Sequence, residues 1–410
     1  MIAGGGIGGL TAALALQQRG IEATVFEAAR EIRPLGVGIN LLPHSVRVLS
    51  ALGLQDELAA AAIETAELAY FNRHGQPIWS EPRGRAAGYD FPQFSVHRGE
   101  LQLLLQRVAR ERLGPERVIC GHALADFETI GHEVIARFVR RGEHVPDHLH
   151  RGRALIGADG IHSRVRAQLH PEEGPPRYAG RMLWRALSRG PRFLTGRSMI
   201  MAGHQDQKFV CYPLASEVAQ DDGTSLINWI AELALPGDTP PPQDWSRLVD
   251  ASVFREPFAD WRFDWLDVPA LIAGAEAIYE YPLADRDPLE HWGAGPITLL
   301  GDAAHPMFPI GSNGASQAIL DAEALADALA HTTPMEAALR AYEDRRRGPT
   351  SQIVLANRQN GPERVMQLAE DRAPGGFERI EDVIPRSELE EIAASYKAIA
   401  GFAPEQVNRP

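Results

Sequence analysis

The sequence of 410 residues holds only two cysteines, Cys120 and Cys211, and no C-x-x-C pair. That scarcity excludes a disulfide scaffold and points to a reducing compartment, so a cytoplasmic location is expected. No apolar run reaches the ~18–20 residues that span a bilayer. No basic segment precedes the apolar start, and its glycines stand in nucleotide-binding register, which argues against a secretory signal. The net charge is −13, and no basic stripe with interleaved aromatics appears. Non-specific nucleic-acid binding is therefore not expected. There is no internal repeat. His132-Glu133 lacks the second histidine of H-E-x-x-H, and no G-x-S-x-G elbow occurs. His144, His148 and His150 fall in a polar stretch that reads as a solvated loop, so no metal is expected. What remains is a chain with 44 % hydrophobic residues, enough for a large α/β core or two or more domains.

Gly4, Gly6 and Gly9 fit G-x-G-x-x-G, with Gly8 in the same turn. The first glycine permits a tight turn, the second lets backbone approach a pyrophosphate, and the third lets the next helix pack close. A helix from Gly9 to about Arg19 would aim its free N–H groups and positive dipole end at the phosphates. Thr24-Val25-Phe26 is a short β-prone run. Glu27 closes it 18 residues after Gly9, about where a carboxylate meets a ribose hydroxyl. From this segment alone, an adenosine partner other than FAD stays open. Three residues precede Gly4, whereas a strand usually has about 5–6. A short first strand, or residues upstream of Met1, is expected.

Two further segments carry the same kind of signal. Leu155-Ile156-Gly157 reads as a buried strand end, Asp159-Gly160 as a turn, and Ser163-Arg164-Val165-Arg166 as a helix start. Asp159 there would cap that helix. Ile297-Thr298-Leu299-Leu300 feeds Gly301-Asp302, and Pro309-Ile310-Gly311-Ser312-Asn313-Gly314-Ala315 leads into another helix. A bland loop has no need of so many Gly, Pro and Asp residues. Arg98 precedes the apolar pattern Leu101, Leu104, Leu105 and Val108 of an amphipathic helix.

Together these segments resemble the FAD-dependent aromatic hydroxylases, single-component flavoprotein monooxygenases with a p-hydroxybenzoate hydroxylase-like fold. The resemblance covers nearly the whole chain. It implies an α/β fold: a Rossmann-like FAD-binding domain, an inserted, mostly antiparallel substrate sheet, and a C-terminal helical tail. The expected boundaries are 1–70, 97–172 and 275–330 for the discontinuous FAD domain, 71–96 and 173–274 for the sheet, and 331–410 for the tail. By resemblance, Gly4, Gly6, Gly8, Gly9, Glu27, Arg98, Asp159, Asp302, Gly314 and Ala315 bind non-covalent FAD. Asp159 also lines the path of the nicotinamide donor, Asp302 binds the ribityl hydroxyls, and Pro309 sits beside flavin C4a. NADH or NADPH would reduce the flavin, O2 would add at C4a to give a hydroperoxide, and an electron-rich ring would take the distal oxygen. The halogenase signature W-x-W-x-I-P does not fit Trp261-Arg262-Phe263-Asp264-Trp265.

The middle of the chain is rich in strand signals. Tyr70-Phe71-Asn72 and Pro77-Ile78-Trp79-Ser80 flank a hairpin turn at His74-Gly75. Runs at Met182–Arg185, Met199–Met201, Lys208–Tyr212 and Leu226–Ile230 would build the substrate roof. Trp184, Arg185, Tyr212 and Trp229, over Pro309 and Ile310, are the pocket candidates, of which alternation admits about half. Of these, Pro309, Arg185 and Tyr212 are the expected catalytic residues. Leu235 to Asp244 reads as a proline-rich loop. A helix from Ala337 should end at Gly348-Pro349, with the Arg345-Arg346-Arg347 run at its solvated end.

Runs such as Arg33–Asn40, Trp79–Gly84, Asp285–Leu289 and Asn313–Asp321 resemble the phenazine-biosynthetic hydroxylases acting on 5-methylphenazine-1-carboxylate. They resemble the salicylate and 3-hydroxybenzoate hydroxylases more loosely. The expected substrate is a small aromatic or N-heteroaromatic molecule, flat and of two or three rings, of the kind met in secondary metabolism. A hydroxybenzoate-type hydroxylase, and a flavin oxidoreductase without oxygen insertion, remain as alternatives. The chain is expected to be a monomer or homodimer.

Overall fold

The computed structural model describes residues 1–34, 37–140, 148–215, 223–235 and 247–408. Its first layer is a parallel five-stranded sheet in the order Ile297–Leu299, Leu155–Gly157, Ile2–Ala3, Val25–Glu27, Val118–Cys120. Ile2 pairs with both Ile156 and Val25, and Ile156 in turn with Thr298. This register brings Gly4, Ala158 and Leu300 to one edge, the carboxyl end of the strands, where such sheets bind ligands. The helix Ile7–Gln18 starts two residues earlier than expected and is buried along most of its length. Its small residues pack against the equally small-faced helix Gly314–His331.

Above this layer lies an eight-stranded sheet ordered Leu248–Val249, Ile278–Asp285, Arg177–Pro191, Thr224–Ala234, Gln207–Leu214, Ser198–His204, Glu67–Phe71, Pro77–Pro82. Each pairing is antiparallel except Ser198–His204 with Glu67–Phe71. Two strands cross the expected boundaries. Ile278–Asp285 lies in this sheet although 275–330 was assigned to the cofactor domain, and Glu67–Phe71 begins before residue 71. Both were cut by proximity to cofactor motifs, whereas strand pairing is what decides membership.

The sheet is apolar on both faces. Trp184, Phe209 and Trp229 pack outward under Phe254, Phe258 and Trp261. Leu183, Met199, Met201, Val210, Tyr212 and Leu283 point the other way, into a cluster with Phe308 and Ile310 of the first layer and with Val365, Met366, Ala369, Ile384 and Leu389 of the tail, whose helix Arg364–Arg372 covers Ser198–His204.

Three sequence expectations fail on tertiary context. His148 and His150 lie in the strand His148–Gly152, not in a solvated loop. His150 packs on Phe26 at 4.5 Å, and His144 falls outside the described residues. The helix Met335–Arg358 runs straight through Gly348-Pro349. Its buried stripe Tyr342, Arg346, Thr350, Ile353, Val354, Asn357 continues unbroken, and the carbonyl of Arg345, which Pro349 leaves without a donor, is on the exposed side. Arg346 is therefore mid-helix and buried against Asp321, not at a solvated end. The expected proline loop lies, from residue 236 on, outside the described residues. The helices Arg364–Arg372 and Arg386–Ile399 form the tail.

Candidate active site

The glycine turn has one open position among closed ones. Gly4 has φ +109°, and a Cβ there would lie 2.2 Å from the Ala158 carbonyl oxygen. A Cβ on Gly9 would lie 2.1 Å from the Gly4 carbonyl oxygen. A Cβ on Gly8 would strike Leu300 at 2.7 Å and Ala318 at 3.2 Å. The side-chain direction of Gly8 is thus filled by helix packing, which leaves only its backbone to face a ligand. Only Gly6, in front of the helix N-terminus, has nothing within 4 Å. That is the gap a pyrophosphate needs. Glu27 accepts from Gly5 N at 2.8 Å and Ala29 N at 2.7 Å, and Gln102 donates to Gly5 O at 2.8 Å. The acid thus braces the turn and stands beside it.

Asp159 caps the helix Arg164–Leu169: Arg164 N donates to Oδ2 at 2.7 Å and Ser163 Oγ to Oδ1 at 2.5 Å. Burial raises its pKa against these hydrogen bonds. Arg166 links this segment to the next, donating to Ala303 O at 3.0 Å and Ala304 O at 2.8 Å. Asp302 is open to the cleft, and among the described residues no donor pairs with it. Its Oδ1 lies 4.0 Å from where a Gly314 Cβ would be, at the first turn of the helix Gly314–His331 that also holds Ala315. The surrounding protein strips enough water to raise its pKa, with His305 and Arg98 pulling it down. Beneath it, Asp321 accepts from Gly301 N at 3.0 Å and Arg346 Nε at 2.7 Å, with His305 Nε2 at 2.6 Å. Burial works against the Asp321 carboxylate, but His305 and Arg346 outweigh it and bring its pKa down to about 2.

The roof contributes the inward face. Arg185 Nη2 donates to Gly38 O at 2.9 Å, and Gly38 N donates to Asn228 Oδ1 at 2.7 Å. A Cβ on Gly38 would touch Tyr212 at 2.7 Å. Tyr212 is pushed up to about 12 by burial, with Arg185 opposing. Burial lowers the Arg185 pKa, Tyr212 and Tyr281 oppose it, and Arg98 adds to the lowering. Arg98 begins the helix Arg98–Leu113, as expected, and acts on both Asp302 and Arg185.

Of the pocket candidates, Arg185, Tyr212 and Ile310 face inward, and Pro309 is solvent-exposed beside Ile310. Trp184 and Trp229 do not. Trp184 Nε1 donates to Glu280 at 2.9 Å and Trp229 Nε1 to Ser188 at 2.9 Å, both on the outer face. Sequence reading missed Asn40, Asn228 and Tyr281. A lone amide inside the apolar run Leu226-Ile227-Asn228-Trp229-Ile230 was the available signal for Asn228.

The open Gly6, the bracing Glu27 and the unpartnered Asp302 fit a dinucleotide flavin laid across the strand ends. The family model for an FAD binding domain matches residues 1–225 and 276–357. The phenazine 1,6-dicarboxylic acid hydroxylase of Lysobacter antibioticus is 47% identical over 361 residues, 87% of this chain and 88% of that protein. The 3-hydroxybenzoate 6-hydroxylase of Polaromonas naphthalenivorans is 30% identical over 373 residues, covering 88% and 86%. A substrate complex of salicylate hydroxylase has the same fold, with TM-score 0.72 at 22% identity over 97% of both chains. Sequence, fold and site converge: the chain belongs to the FAD-dependent aromatic hydroxylases, enzymes that use NAD(P)H and O2 to hydroxylate an aromatic substrate.

Proposed function

We propose that the substrate is a planar N-heteroaromatic carboxylate of two or three fused rings, hydroxylated on the ring as in secondary metabolism. The observation that carries this is a pair of buried roof donors that have no hydrogen-bond partner among the described residues: Arg185 Nε and Asn228 Nδ2. Each buried donor left unpaired costs roughly 1–3 kcal/mol. A carboxylate that accepts from them offsets that cost and meets a planar guanidinium. The inward apolar faces of Leu183 and Val210 suit flat rings. The Lysobacter relative, a phenazine 1,6-dicarboxylic acid hydroxylase, acts on a ring system that agrees in size and charge.

In this reading Gly6 and the N-terminus behind it receive the pyrophosphate, Glu27 the adenosine ribose, and Asp302 the ribityl chain. Asp159 keeps its helix cap and borders the donor path, and Arg98 steadies the flavin side. The first-turn N–H groups at Gly314 and Ala315 meet the flavin pyrimidine edge, where a positive dipole end favours negative charge. Bound FAD, reduced by NAD(P)H, supplies an activated oxygen atom for an electron-rich ring. Arg185 and Tyr212 orient that ring, and Pro309 and Ile310 form the floor that excludes water. We infer a cytoplasmic monomer or homodimer; both cysteines are free, and among the described residues no helix is long and apolar enough to cross a membrane.

The test is substrate-stimulated NAD(P)H oxidation over a panel: phenazine-1,6-dicarboxylate, phenazine-1-carboxylate, quinoline carboxylates, salicylate and 3-hydroxybenzoate. Phenazine acids should stimulate most, and Arg185→Ala should raise their KM by about ten- to a hundredfold, the loss of a charge-assisted pair. Preference for salicylate would replace this reading with the small-benzoate one.

A further inference from the structure

The loop from Phe308 to Asn313 is braced from the C-terminal tail. Gly311 has φ +67° and the next residue, Ser312, φ +58°. A serine in the left-handed region is sparsely populated and needs outside support. That support comes from three buried side chains. Asn357 Nδ2 donates to Phe308 O at 3.0 Å and Ile310 O at 3.1 Å. Asn313 Nδ2 donates to Gly311 O at 3.1 Å and to the Tyr396 hydroxyl at 2.9 Å. Tyr396 Oη lies 2.8 Å from Asn357 Oδ1 and 3.2 Å from Ile310 O, so its single proton serves these two acceptors.

The Tyr396 ring also fills the space between two left-handed turns. A Cβ on Gly311 would lie 2.2 Å from its hydroxyl oxygen, and one on Gly361 would lie 2.8 Å from its Cε2. The network continues inward. Gln317 donates to Asn313 Oδ1 at 3.1 Å and accepts from Arg346 Nη2 at 2.6 Å, and Arg346 pairs with Asp321. Both ends of the Gly301–Asn313 segment are thereby fixed by residues that never reach the cleft, while Pro309 is solvent-exposed.

We propose that Tyr396, acting through Asn357, is a positioning residue for oxygen transfer: the tail helix holds Pro309 in place and so sets how much NAD(P)H oxidation ends in hydroxylation. This rests on the reading that Pro309 floors the reacting site. In the coupled reaction NAD(P)H, H+, O2 and the aromatic C–H give NAD(P)+, water and the hydroxylated ring. In the uncoupled one NAD(P)H, H+ and O2 give NAD(P)+ and hydrogen peroxide. A floor that shifts misplaces the ring relative to the activated oxygen, and a small misplacement changes rates strongly.

The experiment measures peroxide and hydroxylated product per NAD(P)H in the FAD-loaded enzyme with phenazine-1,6-dicarboxylate, or with whichever panel acid stimulates most. Tyr396→Phe should keep its FAD and raise the peroxide-to-product ratio about three- to tenfold, the scale of one lost hydrogen bond. Tyr89→Phe is the matched control, since its buried hydroxyl also anchors the tail, through Phe402 O, without touching the loop. It should lower thermal stability similarly and leave the ratio unchanged. An unchanged ratio in Tyr396→Phe, or an equal rise in both variants, overturns the proposal. Pro309→Ala separates the two levels. If it leaves the ratio unchanged, the floor reading itself is wrong; if it raises the ratio and Tyr396→Phe does not, only the brace is wrong. Should Tyr396→Phe fail to fold, Asn357→Ser carries the same test.

Discussion

Asp321→Asn should separate what holds the cofactor loop from what touches the cofactor. Asp321 is fully buried and accepts from Arg346 and Gly301, with His305 Nε2 at 2.6 Å from the same oxygen as Gly301 N. Removing its charge leaves the buried Arg346 guanidinium without its counter-ion, a change that costs about 3–5 kcal/mol. It also weakens the tether on Gly301 N, whose neighbour Asp302 faces the cleft. Urea unfolding should therefore shift by that amount, and FAD should be lost at lower denaturant than in wild type. The pH dependence follows the same group. Its folded pKa is about 2, below the unfolded value of about 3.9. The stabilisation is fully present above the unfolded value and is lost as pH falls from about 4 toward 2. From the difference in pKa its size is on the order of 2–3 kcal/mol. Asp321→Asn should lack that acid-sensitive component. A variant that unfolds within about 1 kcal/mol of wild type and releases FAD normally would show that Asp321 does not hold the cofactor loop.

Three further outcomes follow from the cofactor edge. Asp302→Ala should retain the fold and lose FAD on gel filtration, because the carboxylate has no protein donor to leave unpaired; unchanged flavin content would remove it from the site. Glu27→Ala should weaken FAD by about 1–2 kcal/mol and loosen the Gly5 turn, read by titration of the apoprotein. Gly6→Ala should unfold like wild type yet bind FAD poorly, whereas Gly9→Ala should fail to fold, since a Cβ there would lie 2.1 Å from Gly4 O; thermal melts of the two apoproteins distinguish these cases.

The turns, strand ends and helix starts around the parallel sheet were legible because their signals are local. A glycine turn, an acid at a strand end and an arginine at a helix start each carry their chemistry within a few residues. The roof was not. Trp184 and Arg185 are neighbours, and a shift of one residue in phase exchanges cleft for outer core. Alternation could not fix that phase, because both faces of the sheet are apolar and the pattern reads as continuous hydrophobicity. Pro349 looked like a helix end because the stripe that overrides it is set by packing. Arg346 looked solvated because its partner, Asp321, lies 25 residues upstream. Tyr396 gave no local sign at all, since its role exists only where tail and loop meet.

Oxygen insertion into a planar heteroaromatic acid by an FAD enzyme is what the site is built for in this reading. The most direct measurement is turnover of phenazine-1,6-dicarboxylate under labelled oxygen gas with NADH and NADPH, followed by product mass. The expected product is a hydroxylated ring carrying one oxygen atom from O2, formed with oxidation of one NAD(P)H. A product without label, or NAD(P)H oxidation that never modifies the ring in any panel acid, would contradict that reading.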